Sequence, residues 1–341
     1  MRIIAPALIL FSIIVGGIGM HTNVESKPRP EAEATIAQVL AAGGQVPVAL
    51  DSIDQRSLVA ARIEALEVTP DLVVIGDRSW QFLRQDLRWE RSLFGAYIDT
   101  LRVSDIWTIA RQLSAADRMP KTLVLGVSPD FIVTKPGDPS LLDRLANLVS
   151  PASEPAVAEI STSEPDAETA RATAKPAVSV RHAEFDTLFP DGSVMWSQRR
   201  TTAESDTDLD QKVHALKNRL SADAGRAQFR PIGALNSVIG HLKLAGVNVH
   251  IVLTPLHPEI DAGIADAPAR QTIDLGTKLL LQTARTFDVS AIGSFSPTDA
   301  GCPADAFADL ETPASECLTR LIDDVLGADR MQPAEIVLSL H

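Results

Sequence analysis

The chain has 341 residues, 45% of them hydrophobic, which is enough for one large or two small domains. A formal net charge of −13 and the absence of any basic stripe argue against a nucleic-acid partner. Aromatic residues make up 4%, with Tyr97 the single tyrosine, so there is little material for an aromatic-lined carbohydrate groove beyond Trp80, Trp89, Trp107 and Trp196.

At the N-terminus Arg2 precedes an apolar segment from Ile3 to Met20, followed by polar His21 and a loop-like stretch from Lys27 to Pro30. At about 1.5 Å per residue this segment just reaches across a bilayer core of roughly 30 Å. Pro6, Gly16, Gly17 and Gly19 are awkward in a soluble helix and tolerated in lipid. Residues 1–22 read either as a signal anchor or as a signal peptide removed after Gly19. No Ala-x-Ala site precedes the polar region, which favours the anchor. In both cases the body of the chain is exported.

Residues 23–66 form a helical lead-in, with short helices from Glu31 to Ala42 and from Leu58 to Leu66. The next stretch, Asp71 to Ser79, organises the rest. Leu72 to Ile75 is a continuous apolar run that breaks at Gly76 into a polar turn, as a buried parallel strand does. Ligands in open α/β sheets bind beyond the carboxyl ends of such strands, where Asp77, Arg78 and Ser79 fall. Phe94 to Asp99 is a second strand, and Val103, Ile106, Ala110 and Leu113 follow at helical spacing. Thr122 to Val127 is a third strand, ending in a loop from Ser128 to Phe131.

Residues 150–180 are Pro, Ala, Ser, Thr and Glu with almost no large apolar side chains, a composition that cannot build a core. This is a disordered insertion within one α/β domain, 67–149 and 181–330, because the pattern resumes after it. Phe189 to Ser193 marks a turn. Leu209, Val213, Leu216 and Leu220 form one helical stripe, and Ile232, Leu235, Ile239 and Leu242 the next, with Gly246 at the helix C-cap. Asn248 to Thr254 is a fourth strand, halted by Pro255. A long helix runs from Gln271 to Phe287, a short fifth strand from Val289 to Ile292, and a last helix from Pro313 to Leu326. Strands alternating with helices make a three-layer, doubly wound parallel sheet the expected architecture.

Cys302 and Cys317 flank a turn before the last helix. They read as one disulfide in an oxidising compartment or as two buried thiols. No histidine lies near either, so no metal site is expected. No cofactor is expected either, because the turn at Gly76 lacks the spaced glycines of a nucleotide-binding loop.

The order of motifs, Gly76-Asp77-x-Ser79 after one strand, Gly126-Val127-Ser128 after another, Thr254-Pro255 after the fourth and a late Asp309-x-x-Thr312, resembles the SGNH (GDSL-type) hydrolase superfamily. More narrowly, it is similar to exported, membrane-anchored bacterial members linked to cell-envelope polysaccharides. The resemblance spans roughly Asp71 to Leu326 without the insertion. It implies a flavodoxin-like strand order, a single-pass protein of the bacterial inner membrane with its body in the periplasm, or a secreted one if the N-terminal segment is cleaved, and envelope glycan or its assembly or acylation machinery as partners.

The catalytic motifs depart from that pattern. The nucleophile position two residues after Gly76 is Arg78, whose guanidinium stays protonated, and Ser79 lies one residue further on. Oxyanion donors usually come from a glycine after the second strand and an asparagine after the third. Here Leu101 to Ser104 contains no glycine, and Ser128 replaces the asparagine. The general base is replaced by Thr312, which cannot take a proton near neutral pH and which, before Pro313, reads as a helix N-cap.

A rescue is conceivable in which His257 serves Ser79 and Asp77 or Asp309 orients the histidine; the alternative is an ordinary loop histidine. Arg78 beside Asp77 could bind an anionic group such as a uronate or phosphate, with Ser128 near it, or could simply brace the turn. Two functions are therefore expected to compete: a catalytically degenerate SGNH-like protein that binds or helps assemble envelope glycan, and an active serine esterase or O-acyl-handling hydrolase using Ser79, His257 and Asp309.

Overall fold

The computed structural model describes residues 30–85, 89, 91–133, 185–197, 209–224 and 229–328. In chain order the elements are α1 (Pro30–Ala41), β1 (Val46–Val48), α2 (Gln55–Glu64), β2 (Leu72–Gly76), β3 (Leu93–Tyr97), α3 (Val103–Ala115), β4 (Thr122–Val127) and α4 (Pro129–Val133). After a gap in the described residues come β5 (Asp186–Leu188), β6 (Val194–Met195), α5 (Leu209–Ala224), α6 (Arg230–Leu244) and β7 (Asn248–Leu253). The chain then forms α7 (Pro258–Ile264), α8 (Pro268–Phe287), β8 (Ser290–Gly293) and α9 (Ser315–Ala328).

Five strands pair in parallel in the order β3-β2-β4-β7-β8. Numbered within the sheet this is 2-1-3-4-5, an order compatible with a flavodoxin-like fold, whose chain reverses direction across the sheet between β2 and β4. Every residue of β2, β3 and β4 is buried, the burial that a parallel sheet covered on both faces requires.

Side-chain alternation splits these strands between two cores. Val73, Ile75, Leu123 and Leu125 point to a face packed by α2, α3, α6 and α8, through residues such as Ile63, Leu113, Leu235 and Leu280. Leu72, Val74, Val124 and Val252 point to the other, packed by Trp80, Trp89, the two cysteines and the Leu318, Leu321, Ile322 and Val325 stripe of α9. The lead-in is continuous with the first core, since Val59 and Ile63 of α2 belong to it.

A second, antiparallel sheet, β1-β5-β6, covers a smaller core of Leu40, Val48, Leu58, Leu188, Val194 and Trp196. Its strands of two or three residues are too short to show a period, so only the Phe189–Ser193 turn is legible beforehand. There Gly192 takes φ +91°, and Asp191 accepts from both the amide and the hydroxyl of Ser193. Buried Arg62 bonds Gly95 O at 2.7 Å and Pro190 O at 3.1 Å and lies 4.5 Å from the Phe94 ring centroid, tying this turn to β3. Burial lowers its pKa to about 10, so it stays charged at neutral pH.

The five main strands and the long helices match the sequence periodicities. Gly246 closes α6 in a Schellman motif, with Val247 N bonding Leu242 O and Gly246 N bonding Lys243 O. The last helix differs. It begins at Ser315, and Thr312 does not cap it; Thr312 O instead accepts from Ala308 N within a turn closed by the Phe307–Pro313 bridge. The apolar segment 1–22 and the 150–180 stretch lie outside the described residues. Among the described residues no helix is long and apolar enough to cross a membrane.

Candidate functional site

The site forms at the carboxyl ends of β2, β4 and β7, where the sheet order reverses. Trp80 decides how those ends fit together. A Cβ on Gly76 would lie 2.6 Å from the Trp80 ring, and one on Gly126 would lie 2.2 Å from its Nε1. Both glycines therefore make room for an indole laid across the two strands. Its Nε1 donates to Thr254 Oγ1 at 2.8 Å, which joins the end of β7 to the same arrangement.

Asp77 caps the 3₁₀ turn Arg78–Trp80. Its Oδ1 accepts from the Ser79 amide at 2.9 Å and from Ser79 Oγ at 2.5 Å, while Oδ2 accepts from Ser128 Oγ. The carboxyl is buried, and burial raises its pKa against the lowering effect of the two hydroxyls and the amide. Asp77 thus ties the ends of β2 and β4 together, and both serines spend their protons on it.

Arg78 leaves the turn toward the loop between the two cysteines. Its Nη2 meets Asp309 Oδ2 at 3.4 Å, and its guanidinium lies 5.7 Å from the Trp196 ring centroid. Asp309 Oδ1 accepts from the Glu311 amide at 2.7 Å. Burial raises the Asp309 pKa, opposed by that amide and by Arg78. Thr312 Oγ1, fully buried, also lowers it from nearby without a hydrogen bond of good geometry. Cys302 and Cys317 form a disulfide, with Cα atoms 5.8 Å apart, so Asp309, Leu310, Glu311 and Thr312 all sit in a covalently closed loop.

His257 caps α7: its Nδ1 accepts from the Glu259 amide at 3.3 Å, and its ring packs edge-on against Phe307 at 5.1 Å. Burial lowers its pKa, opposed by Glu259 and Asp309, so the ring is held neutral. A neutral imidazole has one acceptor nitrogen, and here the backbone occupies it. Ser79 Oγ donates to Asp77 and, among the described residues, to no histidine.

Between these groups and α5 lies a cleft. Its inner part, a recess of about 30 Å³, has Ser79, Ser128 and Thr254 at the floor and Leu216, Leu220 and Leu256 in the walls. Its outer part is framed by Arg78, Arg219, Asp309 and Glu311. Ala215, Leu216, Arg219 and Leu220 line it together because they share one helical face of α5. Arg219 is paired with Asp130 at 3.1 Å and with Glu311.

The structure thus brings Asp77, Ser79 and Ser128 into one hydrogen-bonded group and places Arg78 against Asp309. His257 stands apart, committed to the helix it caps. Arg219 and Glu311 are the cleft residues that the sequence did not reveal; both are ordinary charges on a helix face and in a loop until the fold pairs them. Among the described residues no three His, Cys, Asp or Glu side chains converge in a metal-binding arrangement. Comparisons with protein-family models and with curated proteins return no match.

Proposed function

We propose that the protein is a catalytically degenerate, SGNH-hydrolase-like protein that binds cell-envelope glycan in this cleft. On this reading the N-terminal apolar segment tethers it to the bacterial cytoplasmic membrane, with its body on the periplasmic side. The 2-1-3-4-5 strand order, the cleft at the point where it reverses, and the Cys302–Cys317 disulfide, which suits an oxidising compartment, support the reading.

One observation carries the loss of catalysis. Ser79 Oγ donates its hydrogen bond to the buried Asp77 carboxylate, while His257, at the same end of the sheet, has its acceptor nitrogen occupied by the Glu259 amide. A Ser–His pair needs an imidazole within about 3 Å with its acceptor nitrogen free, and Asp77, the base that Ser79 does reach, has its oxygens committed to the Ser79 amide and to Ser128 as well. The competing reading, a serine esterase or O-acyl-handling hydrolase, requires both bonds to break.

A serine-directed fluorophosphonate and an aryl acetate separate the two. The binding reading predicts no adduct and hydrolysis no faster than buffer. A Ser79 adduct that disappears in Ser79→Ala, together with turnover lost in His257→Gln, overturns it in favour of the hydrolase.

A further inference from the structure

We infer that the cleft recognises a neutral, hydroxyl-donating part of its ligand, such as the vicinal diol of an uncharged sugar, and turns away uronate and phosphate groups. This rests on the binding reading above and adds the donor and acceptor pattern of the cleft floor. Three donors, the Ser79 amide and the two serine hydroxyls, favour the ionised form of Asp77 against burial, and an ionised carboxylate only accepts hydrogen bonds. With Ser79 Oγ and Ser128 Oγ both donating to Asp77, the two hydroxyls can offer the cleft only their lone pairs. An indole N–H only donates, so Thr254 Oγ1 accepts from Trp80 and keeps its own proton for the cleft. The floor therefore presents two acceptors and one donor, which matches two sugar hydroxyls that donate to the serines while one of them accepts from Thr254.

The charges around it point the same way. Arg78 is met by Asp309, and Arg219 by Asp130 and Glu311, so among the described residues carboxylates outnumber guanidiniums at the mouth even before Asp77 behind the floor is counted. Among the described residues an anion entering here meets guanidiniums already paired with carboxylates, the unbonded Arg78 Nε being buried, and it approaches a chain of net charge −13. The same floor is unsuited to an ester carbonyl, whose developing oxyanion needs donors where the serines present acceptors. The inner recess of about 30 Å³ admits the hydroxyl groups of such a ligand, and its sugar ring fits the outer part of about 310 Å³ against Ala215, Leu216 and Leu310.

The test is a set of neutral oligosaccharides, each paired with its 6-carboxylated and 6-phosphorylated counterpart, titrated against the full-length protein in detergent. The strongest saturable binder is expected to be neutral, with each anionic counterpart at least roughly tenfold weaker. Ser79→Ala, Ser128→Ala and Thr254→Val should each weaken neutral binding by roughly fivefold, the worth of one hydrogen bond. The wild-type ranking decides by itself if a variant does not fold. A carboxylated or phosphorylated sugar as the strongest binder overturns this inference and leaves the binding reading standing. No binding by any member of the set overturns the binding reading, and the inference with it.

Discussion

The two faces of the main sheet are covered by different means. On one, Val73, Ile75, Leu123 and Leu125 meet helices with regular apolar stripes, α3, α6 and α8 among them. On the other, Leu72, Val74, Val124 and Val252 meet two tryptophans, a disulfide and α9. The helical face spreads its stabilisation over many side chains of similar size. The irregular face concentrates it in Trp80 and in the cross-linked loop, and these same two features position the polar side of the cleft. The cleft's apolar walls, Leu216, Leu220 and Leu256, belong to the helical face. Damage to the irregular face should therefore reach the polar floor, while comparable damage to the helical face away from α5, as in α3, should cost stability and leave the cleft intact.

The largest expected effect comes from Trp80. Trp80→Ala removes an indole that is fully buried and seated on Gly76 and Gly126, for a loss of about 3–5 kcal/mol. Leu113→Ala in α3 should cost about 2–5 kcal/mol without loss of ligand affinity per folded molecule. Denaturant melts and titrations of the two variants side by side test the contrast, and equal damage to binding removes it.

Replacing both Cys302 and Cys317 by alanine opens a loop of sequence separation 15 and should cost about 3 kcal/mol. Native-state hydrogen exchange should then show the 302–317 loop and α9 losing protection before α3 and α6. Uniform loss across the sheet would mean that the faces are not distinct.

Gly126→Ala places a methyl against the indole and should cost about 1–3 kcal/mol, much of it recovered if Trp80 is also made smaller. Strict additivity in that double variant would remove Trp80 as the reason for the glycine.

The smallest effect is on pH dependence. Burial raises Asp77 and Asp309 above the ordinary carboxyl value of 3.8. Between that value and the raised one, the folded chain holds more protons than the unfolded chain, so stability falls as pH rises through the window. His257, lowered from 6.5 by burial, acts with the opposite sign, because below that value the unfolded chain binds more protons and stability falls as pH drops. Asp77→Asn should therefore flatten the decline that begins near about pH 4. An unchanged slope in urea melts would show that the carboxylate carries no such burden.

The same contrast explains what could be read from the sequence. Long stripes such as Ile232, Leu235, Ile239 and Leu242, and the unbroken run Leu72 to Ile75, announce their elements because period and burial coincide over many residues. The irregular face has no period. Nothing in the sequence says that Gly76 and Gly126, 50 positions apart, serve one indole, or that Arg219, beside the apolar stripe of α5, joins Glu311 across the cleft. Thr312 before Pro313 has the form of a helix start, yet the helix begins at Ser315, because the disulfide loop spends those residues on its own bridge. Asp77, Arg78, Ser79 and Ser128 could be singled out as candidates, since strand ends are where α/β sheets hold their ligands. Their proton directions could not, because these depend on a contact between β2 and β4.

The most direct test of the account is to incubate the full-length protein with an excess of a neutral, O-acetylated oligosaccharide that it binds, and to follow free acetate by NMR. The account predicts saturable binding with the acetyl groups recovered intact. Acetate released faster than in buffer, and no longer released by Ser79→Ala, contradicts it.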